Sequence, residues 1–319
     1  MAVYTEIGDE DLARLLADYD IGEPLALKGI AEGVENSNYF LQTTKGRFFL
    51  TLYEKRVDEG DLPFFMGLLE HVAAGGVTCP APVHGRDGRI VRRVAGRPAA
   101  LVTFLDGVSP KRPSVAQCGE AGAALARLHE AGRGFALTRP NALSIAGWPA
   151  LAKASEARAN EVAPALRETI TAELAHLQAV WPRDLPSGVI HADLFPDNAL
   201  FVGERLTGVI DFYFACNDAF AYDIAIGLNA WCFEPDRSFN ITKARALLSR
   251  YQAIRPLQAD ELAALPILAR GSALRFLLTR LHDWLNHDRA ALVRPKDPLE
   301  YLAKLRFHQH VSDANAYGL

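Results

Sequence analysis

The segment between positions 188 and 212 is the part of this sequence that most constrains its fold. An apolar run ending at Ile190 is followed by the polar octapeptide HADLFPDN, and two alternating segments then surround a turn at 203–205. This order predicts a strand, a loop rich in polar side chains and a β-hairpin. The hairpin would bring Asp211 back to the end of the polar loop.

Three polar residues of this segment suggest a common chemistry. Asn198 follows Asp193 by five positions, and Asp211 follows it by eighteen. A loop carboxylate can accept the proton of a substrate hydroxyl, and amide and carboxylate oxygens suit Mg²⁺. We therefore predict an ATP-dependent kinase of a small molecule, although such residues often only hydrogen-bond the backbone of a turn. His191 is interpreted as a support of the loop through backbone hydrogen bonds.

Composition and charge indicate an ordinary globular protein with a small-molecule partner. Half of the 319 residues are hydrophobic, 23% are charged and the formal net charge is −4, so we expect no nucleic-acid partner. No apolar run approaches the roughly 18 residues of a membrane span, and the acidic start lacks the features of a signal peptide. Four scattered cysteines without a CxxC pair suit a reducing compartment. We expect a cytoplasmic protein without a membrane partner, and no pattern indicates its oligomeric state.

The chain changes character at 106–113, a stretch with two prolines and a glycine. Before it the patterns predict mainly strands, and after it mainly helices. We predict an N-terminal lobe at 1–105 with an antiparallel sheet and a larger helical lobe at 106–319, with a nucleotide base bound at the hinge. Strands are expected at 25–31, 37–43, 47–53 and 99–105. Helices are expected at 9–19, 61–75, 114–130, 155–180, 219–233, 241–254, 260–287 and 296–310.

A polar turn separates the first two predicted strands and contains Gly33, Asn36, Ser37 and Asn38. A loop of this kind can fold over phosphates and donate backbone N–H groups to them. An ordinary hairpin turn would have the same composition. The stretch alone leaves both interpretations open.

With these elements assigned, the sequence resembles the superfamily of aminoglycoside phosphotransferases and choline kinases. The segments HADLFPDN and LTGVIDFYFA are similar to the HGDLHPGN and IDF pattern of that superfamily. Longer stretches resemble the homoserine kinases that use the same fold, namely residues 33–54, 61–83, 230–240 and 268–284. The resemblance implies a bilobal, protein-kinase-like α+β fold. It also implies ATP as co-substrate, Mg²⁺ as cofactor and L-homoserine as the acceptor.

The resemblance implies roles for individual residues around the polar loop. Asp193 matches the catalytic base, and Asn198 and Asp211 match the two ligands of Mg²⁺. Asp223 matches an aspartate that supports the loop. Its place near the start of the predicted helix 219–233 also suits a simple N-cap.

The resemblance also implies which residues contact the nucleotide and the substrate. The polar turn that contains Gly33 would cover ATP, and the segment with Thr103 and Leu105 would carry the adenine-binding hinge. The carboxylate of homoserine requires an arginine or a helix N-terminus. Arg275 and Arg280, on the predicted helix 260–287, are the preferred candidates, although a solvated helix face often has the same spacing.

One position departs from the superfamily pattern. The third strand has Thr51 where many relatives place a Lys or Arg that pairs with the nucleotide phosphates, and the next helix has Phe65 near the place of an ion-pairing Glu. Either Lys55 or backbone amides contact the phosphates, or this strand aligns with the superfamily in another register.

Other acceptors and another class of protein remain as alternatives. A kinase of choline, methylthioribose or an aminoglycoside would keep the same catalytic residues and change only the acceptor pocket. Choline favours aromatic and acidic walls, and aminoglycosides favour several carboxylates. A non-catalytic nucleotide-binding protein would lack the phosphate-pairing lysine, but it would have no need of Asp193, Asn198 and Asp211 together.

Overall fold

The computed structural model describes four stretches of the chain: residues 5–30, 36–54, 57–287 and 294–319. The chain divides into two compact units. The first unit is Met1–Gly107 with Thr207–Tyr213, and the second is Val108–Leu206 with Phe214–Leu319. The predicted α+β fold, with a β-rich first part and a helical second part, is confirmed.

The first unit contains an antiparallel sheet of five strands in the order β1-β2-β3-β5-β4. Its strands are β1 Pro24–Ile30, β2 Ser37–Thr43, β3 Gly46–Leu52, β4 Arg92–Val94 and β5 Arg97–Thr103, and its helices are α1 Asp9–Ala17 and α2 Leu62–Ala74. Burial alternates along β2, where Tyr39 and Leu41 face the core, as expected for a strand with one buried face. These residues share a hydrophobic cluster with Leu12 and Leu15 of α1.

The second unit is built mainly from helices. They are α3 Val115–Ala131, α4 Trp148–Ser155, α5 Ala159–Val162, α6 Leu166–Val180, α7 Phe220–Trp231, α8 Ile241–Gln252, α9 Ala259–Asn286 and α10 Pro298–His308. Its remaining elements are β6 Ser187–Ile190, β7 Ala199–Val202, β8 Arg205–Val209 and β9 Cys216–Ala219, with the boundary of the units inside β8. Every residue of α7 except Ala230 is buried, which is typical of a helix surrounded by others.

The single helix predicted at 155–180 is wrong in its first half. The structure has separate helices α5 and α6 there, with Pro164 between them. Proline disfavours a helical conformation of the residue before it, and Ala163 is extended, with φ −153° and ψ 147°. The helical pattern of side chains continued across this break and concealed it.

Helix α9 is long and apolar enough to cross a membrane, but 72% of its most apolar 18-residue window is buried inside the protein. This burial is typical of a core helix in a soluble protein. The helix passes through Pro266 without ending. It supplies both arginines predicted to bind the substrate.

The close packing of α3 against α8 generates a stability prediction. A β-carbon on Gly122 would overlap the backbone carbonyl of Leu247, which cannot move without shifting α8. We expect Gly122→Ala to lower the free energy of unfolding by about 1–3 kcal/mol, the usual cost of overpacking. Urea denaturation of the purified protein would measure the loss.

Gly119→Ala is the matched control, one turn earlier on α3. A β-carbon there would meet the flexible side chain of Arg250 at 3.1 Å, and alanine gains up to about 1 kcal/mol of helix propensity over glycine. We expect this variant to be as stable as the wild type or more stable. Equal losses in the two variants would contradict the packing argument.

Candidate active site

The loop at 191–198 lies between two short strands, as the sequence predicts. It begins after β6, which pairs antiparallel with β9 and brings Ile190 opposite Cys216. Pro196–Asn198 forms a 3₁₀ turn at its end. Strand β7 follows, and β7 and β8 form a two-stranded sheet. The loop therefore starts and ends on regular structure.

Asp193 and Asn198 are brought together within this loop. The Asn198 side-chain amide donates to the backbone carbonyl of Asp193 at 2.8 Å and to its Oδ2 at 3.1 Å. The backbone N–H of Phe195 donates to the same carbonyl at 2.8 Å. These bonds fold the loop back on itself and fix the position of the Asp193 carboxylate.

Ala192, immediately before Asp193, has a left-handed backbone with φ 61°. Residues other than glycine rarely adopt this conformation, and it is found mainly where the surrounding structure requires it. The N–H of Ala192 donates to Asp223 Oδ1 at 2.9 Å, and its carbonyl accepts from Arg275 Nη1 at 2.7 Å. Buried side chains thus hold the backbone on both sides of the strained residue.

Asp223 occupies the first turn of α7 and is fully buried. Its Oδ2 accepts from the N–H of His191 at 2.8 Å and lies 3.0 Å from Nε2 of His129. Ala219 occupies the N-cap position of the helix, and the Asp223 carboxylate binds the loop. Burial alone would raise the pKa of Asp223, but the hydrogen bonds from His129 and the backbone lower it, which keeps the group ionised.

His191 is also buried. Its Nδ1 accepts from the backbone N–H of Asp193 at 3.2 Å, so the ring bonds the loop that follows it. Sequence reasoning missed the contribution of His129, because its partner Asp223 lies 94 positions away in the chain.

Arg275 and Arg280 are both buried, although a solvated helix face was the simpler expectation for their spacing. Arg275 binds the carbonyl of Ala192 and lies over the ring of Phe276, with its guanidinium carbon 4.5 Å from the ring centroid. Arg280 pairs with Glu300, with Nη1 2.6 Å from Oε2. Their role in binding a substrate stays a prediction.

In the first unit, Ser37 and Asn38 were predicted to lie in a polar turn that contacts the nucleotide, but they are the first two residues of strand β2. The Asn36 side chain accepts from the N–H of Glu54 at 3.3 Å, and the Ser37 hydroxyl donates to Glu54 at 2.8 Å. Asn38 accepts from the hydroxyl of Thr51 at 3.0 Å. Gly33 and Lys55 lie outside the described residues. Nucleotide contact by this turn stays a prediction.

The predicted adenine-binding segment lies at the end of β5. The hydroxyl of Thr103 accepts from the N–H of Ala81 at 2.9 Å. Leu105 packs against Gly208, where a β-carbon would approach the leucine Cδ1 to 2.5 Å. The contact of Thr103 and Leu105 with adenine stays a prediction.

Asp211 belongs to the same unit and follows β8. It is exposed and has a left-handed backbone with φ 64°. A strained backbone at a residue other than glycine is often retained for function. The next two residues, Phe212 and Tyr213, begin a 3₁₀ turn.

Comparison with known proteins identifies the family of this chain. The model of the phosphotransferase enzyme family matches residues 26–257, well over half of the 319 residues. The chain belongs to the phosphotransferase enzyme family.

The curated relatives of this phosphotransferase are similar over their full length. The homoserine kinase of Xanthobacter autotrophicus is 62% identical over 319 residues, covering 100% of this chain and 99% of the relative. The homoserine kinase of Bradyrhizobium diazoefficiens is 62% identical over 320 residues, covering 100% and 98%. The predicted resemblance to the superfamily, and within it to the homoserine kinases, is confirmed.

Solved structures support the same fold. An amicoumacin kinase, solved in complex with AMP-PNP, Ca²⁺ and Ami, matches the phosphotransferase with a TM-score of 0.69 at 16% identity, covering 94% of this chain and 92% of that one. At this identity the similarity establishes the fold alone. The predicted protein-kinase-like fold is confirmed.

A neutral cluster in this phosphotransferase joins Tyr213 to Tyr53 and Phe65. The Tyr213 hydroxyl donates to the hydroxyl of Tyr53 at 3.2 Å, and its ring packs edge-on against Phe65 with 5.5 Å between centroids. Burial raises the pKa of Tyr213 to about 12, although hydrogen bonds with Tyr53 and Thr51 act in the opposite direction. The cluster joins the segment that carries Asp211 to the end of β3 and to α2.

This hydroxyl pair generates a prediction for a double-mutant cycle. Tyr213→Phe leaves the buried Tyr53 hydroxyl without its partner, and a buried polar group left unpaired costs about 1–3 kcal/mol. We expect Tyr53→Phe also to destabilise the protein, and the double variant to lose less than the sum of the single variants because both hydroxyls are then gone. Thermal and urea unfolding of the four proteins would measure the coupling. Strictly additive losses would contradict it.

Proposed function

We propose that this phosphotransferase transfers the γ-phosphoryl group of ATP to the side-chain hydroxyl of L-homoserine, giving O-phospho-L-homoserine for threonine biosynthesis. The observation that carries the proposal is the 62% identity, over the full chain, to a protein named homoserine kinase. The family match supports phosphoryl transfer. A cytoplasmic location is part of the proposal and agrees with the burial of α9.

Asp193 is the proposed catalytic base. Its carboxylate would accept a hydrogen bond from the acceptor hydroxyl, orient that oxygen towards the phosphorus and take up its proton as the new P–O bond forms. The hydrogen bonds from Asn198 and Phe195 support this role because they limit how far the loop can move. Positioning of this kind is the main contribution a protein makes to phosphoryl transfer.

Asn198 and Asp211 are the proposed ligands of Mg²⁺. Their amide and carboxylate oxygens fit an ion that prefers hard oxygen donors and keeps water and phosphate oxygens in its other positions. Since the Asn198 nitrogen donates to Asp193, its oxygen is the atom left for a cation. When bound, the ion would neutralise charge on the phosphates.

The nucleotide would be held by the first unit. We propose that backbone N–H groups of Gly33, of Asn36, and of Ser37 and Asn38 at the start of β2 contact the phosphates. The side chains of Asn36 and Ser37 support this arrangement by fixing the end of the turn to Glu54. The segment with Thr103 and Leu105 would contact adenine.

The substrate carboxylate would be bound through α9. Arg280 and Lys304 are buried and share the single carboxylate of Glu300. Burial alone would raise the pKa of Glu300, but Lys304 and Arg280 lower it to about 2, so this carboxylate stays ionised. Two basic side chains that share one carboxylate favour the binding of an anion. Arg275, bonded to the loop at Ala192, is proposed as a second contact.

The acceptor is tested by ADP release from Mg-ATP with L-homoserine, L-serine, choline, methylthioribose and kanamycin. We expect strong turnover with L-homoserine and at least tenfold less with each of the others, since a missing carboxylate or methylene costs about 1–3 kcal/mol or more. Strong turnover with another acceptor and none with homoserine would contradict the proposal.

Asp193→Asn is the control for that assay. We expect it to lower kcat by roughly 10²–10⁴ while AMP-PNP binding, followed by calorimetry, stays near the wild-type affinity. Near-normal turnover would remove Asp193 as the base without changing the identity of the acceptor.

Recognition of the carboxylate generates a further prediction. Arg280→Gln removes one cation but leaves Glu300 paired with Lys304. We expect the KM for homoserine to rise about tenfold, as for the loss of a charge-assisted hydrogen bond. The kcat/KM for 3-aminopropan-1-ol, which lacks the carboxylate, should change little.

Arg270→Gln is the matched control, because it removes another arginine of α9, half-buried, whose carboxylate partner Glu173 keeps a second bond from Gln309. Its KM for homoserine should stay near that of the wild type. A similar rise in both variants, or for both acceptors, would show that Arg280 has only a structural role.

A further inference from the structure

A network of buried polar side chains continues behind the loop at 191–198. Asp223, which binds the backbone of the loop, contacts His129 of α3. His129 contacts Tyr251 at the end of α8, and Tyr251 contacts Arg255, which pairs with Glu261 at the start of α9. All five residues are at most 5% exposed. Polar groups buried to this extent are costly unless they bond one another.

The chemistry of these groups fixes the direction of every hydrogen bond. A guanidinium has no acceptor, so Arg255 Nη1 must donate to the Tyr251 oxygen over their separation of 3.1 Å. Tyr251 therefore donates its proton to Nδ1 of His129, 2.8 Å away. The proton of the neutral His129 ring must then sit on Nε2, which donates to Asp223 at 3.0 Å.

The end of this network that lies away from the loop, at Arg255 and Glu261, is also fixed. Arg255 Nη2 lies 2.9 Å from Oε1 of Glu261, and its guanidinium lies over the ring of Phe220 at 4.5 Å. The other carboxylate oxygen of Glu261 accepts from the N–H of Gln258 at 3.0 Å in the capping box of α9. The network of polar side chains thus extends from the first turn of α9 to the backbone N–H groups of His191 and Ala192.

Helix α9 therefore binds the backbone of the strained residue Ala192 in two ways, one direct and one indirect. Through Arg275 it binds the Ala192 carbonyl directly. Through Glu261, Arg255, Tyr251, His129 and Asp223 it binds the N–H of the same residue. One rigid helix sets both sides of the backbone that precedes Asp193.

We propose that Tyr251 and Arg255 are positioning residues for phosphoryl transfer, acting on Asp193 through His129 and Asp223. The inference rests on the proposed function in taking Asp193 as the base. Removing the Tyr251 hydroxyl leaves His129 free to turn its ring or change its tautomer, so Asp223 loses a fixed donor. The loop would then sample positions in which the Asp193 carboxylate is misaligned.

Tyr251→Phe tests the proposal against Tyr317→Phe. The second variant makes the same change in a pair with the same geometry, since the Tyr317 hydroxyl lies 2.8 Å from Nδ1 of His308 and both residues are buried. The other ring nitrogen of His308 binds Asn229 instead of Asp223. A purely structural role predicts equal effects of the two substitutions.

We expect Tyr251→Phe to lower kcat roughly ten- to hundredfold, the range seen for small misplacements of reacting groups, with the KM values for ATP and homoserine changed less than about twofold. Tyr317→Phe should keep its kcat. Equal falls in kcat, or no fall with Tyr251→Phe while the wild type phosphorylates homoserine, would overturn the proposal.

A second measurement does not depend on the acceptor. Amide hydrogen exchange of the segment containing His191 and Ala192 should become about tenfold faster in Tyr251→Phe and remain unchanged in Tyr317→Phe. If Tyr251→Phe does not fold, Arg255→Lys gives the same comparison, because lysine keeps the charge beside Glu261 but lacks the fork that reaches Tyr251 as well. Unchanged exchange in the folded variant would overturn the proposal, even if homoserine were not the acceptor.

Discussion

The backbone at Ala192 has a conformation that an alanine side chain disfavours, and much of the second unit is arranged around keeping it there. Asp223 binds the N–H groups of His191 and Ala192, and Arg275 binds the carbonyl of Ala192. A buried carboxylate and a buried guanidinium on opposite sides of one residue would each be costly alone. Together they make the position of the next side chain, Asp193, a property of the helical core.

The loop that carries Asp193 and the segment that carries Asp211 are held in place by different interactions. Behind the loop, ionised and neutral polar groups are linked in hydrogen bonds of fixed direction. In the first unit, phenol hydroxyls and ring packing join Tyr213, two positions after Asp211, to Tyr53 just beyond β3 and to Phe65 of α2. A neutral contact needs no counter-ion when it is buried, so this unit can hold the segment without a buried charge.

The sequence was sufficient to predict the elements whose signals are local. The strand, loop and hairpin around Asp193 were visible because polar spacing and alternation are short-range patterns, and the change from strands to helices near 106–113 was visible in composition. The helix at 155–180 was wrong because one proline outweighed a continuing pattern. The pairing of Arg280 with Glu300 and the link between Asp223 and His129 could not be predicted, since they join residues 20 and 94 positions apart. Nothing in the sequence pattern specifies such partners.

Gly122 links the stability of this enzyme to its turnover. It permits close contact between α3 and α8, and these two helices carry His129 and Tyr251 to within 2.8 Å of each other. The interface that contributes to the stability of the unit therefore also sets the spacing between His129 and Tyr251 behind Asp193. A lineage that adapts to heat by repacking these helices would change its turnover at the same time, so stability and rate cannot be selected independently here.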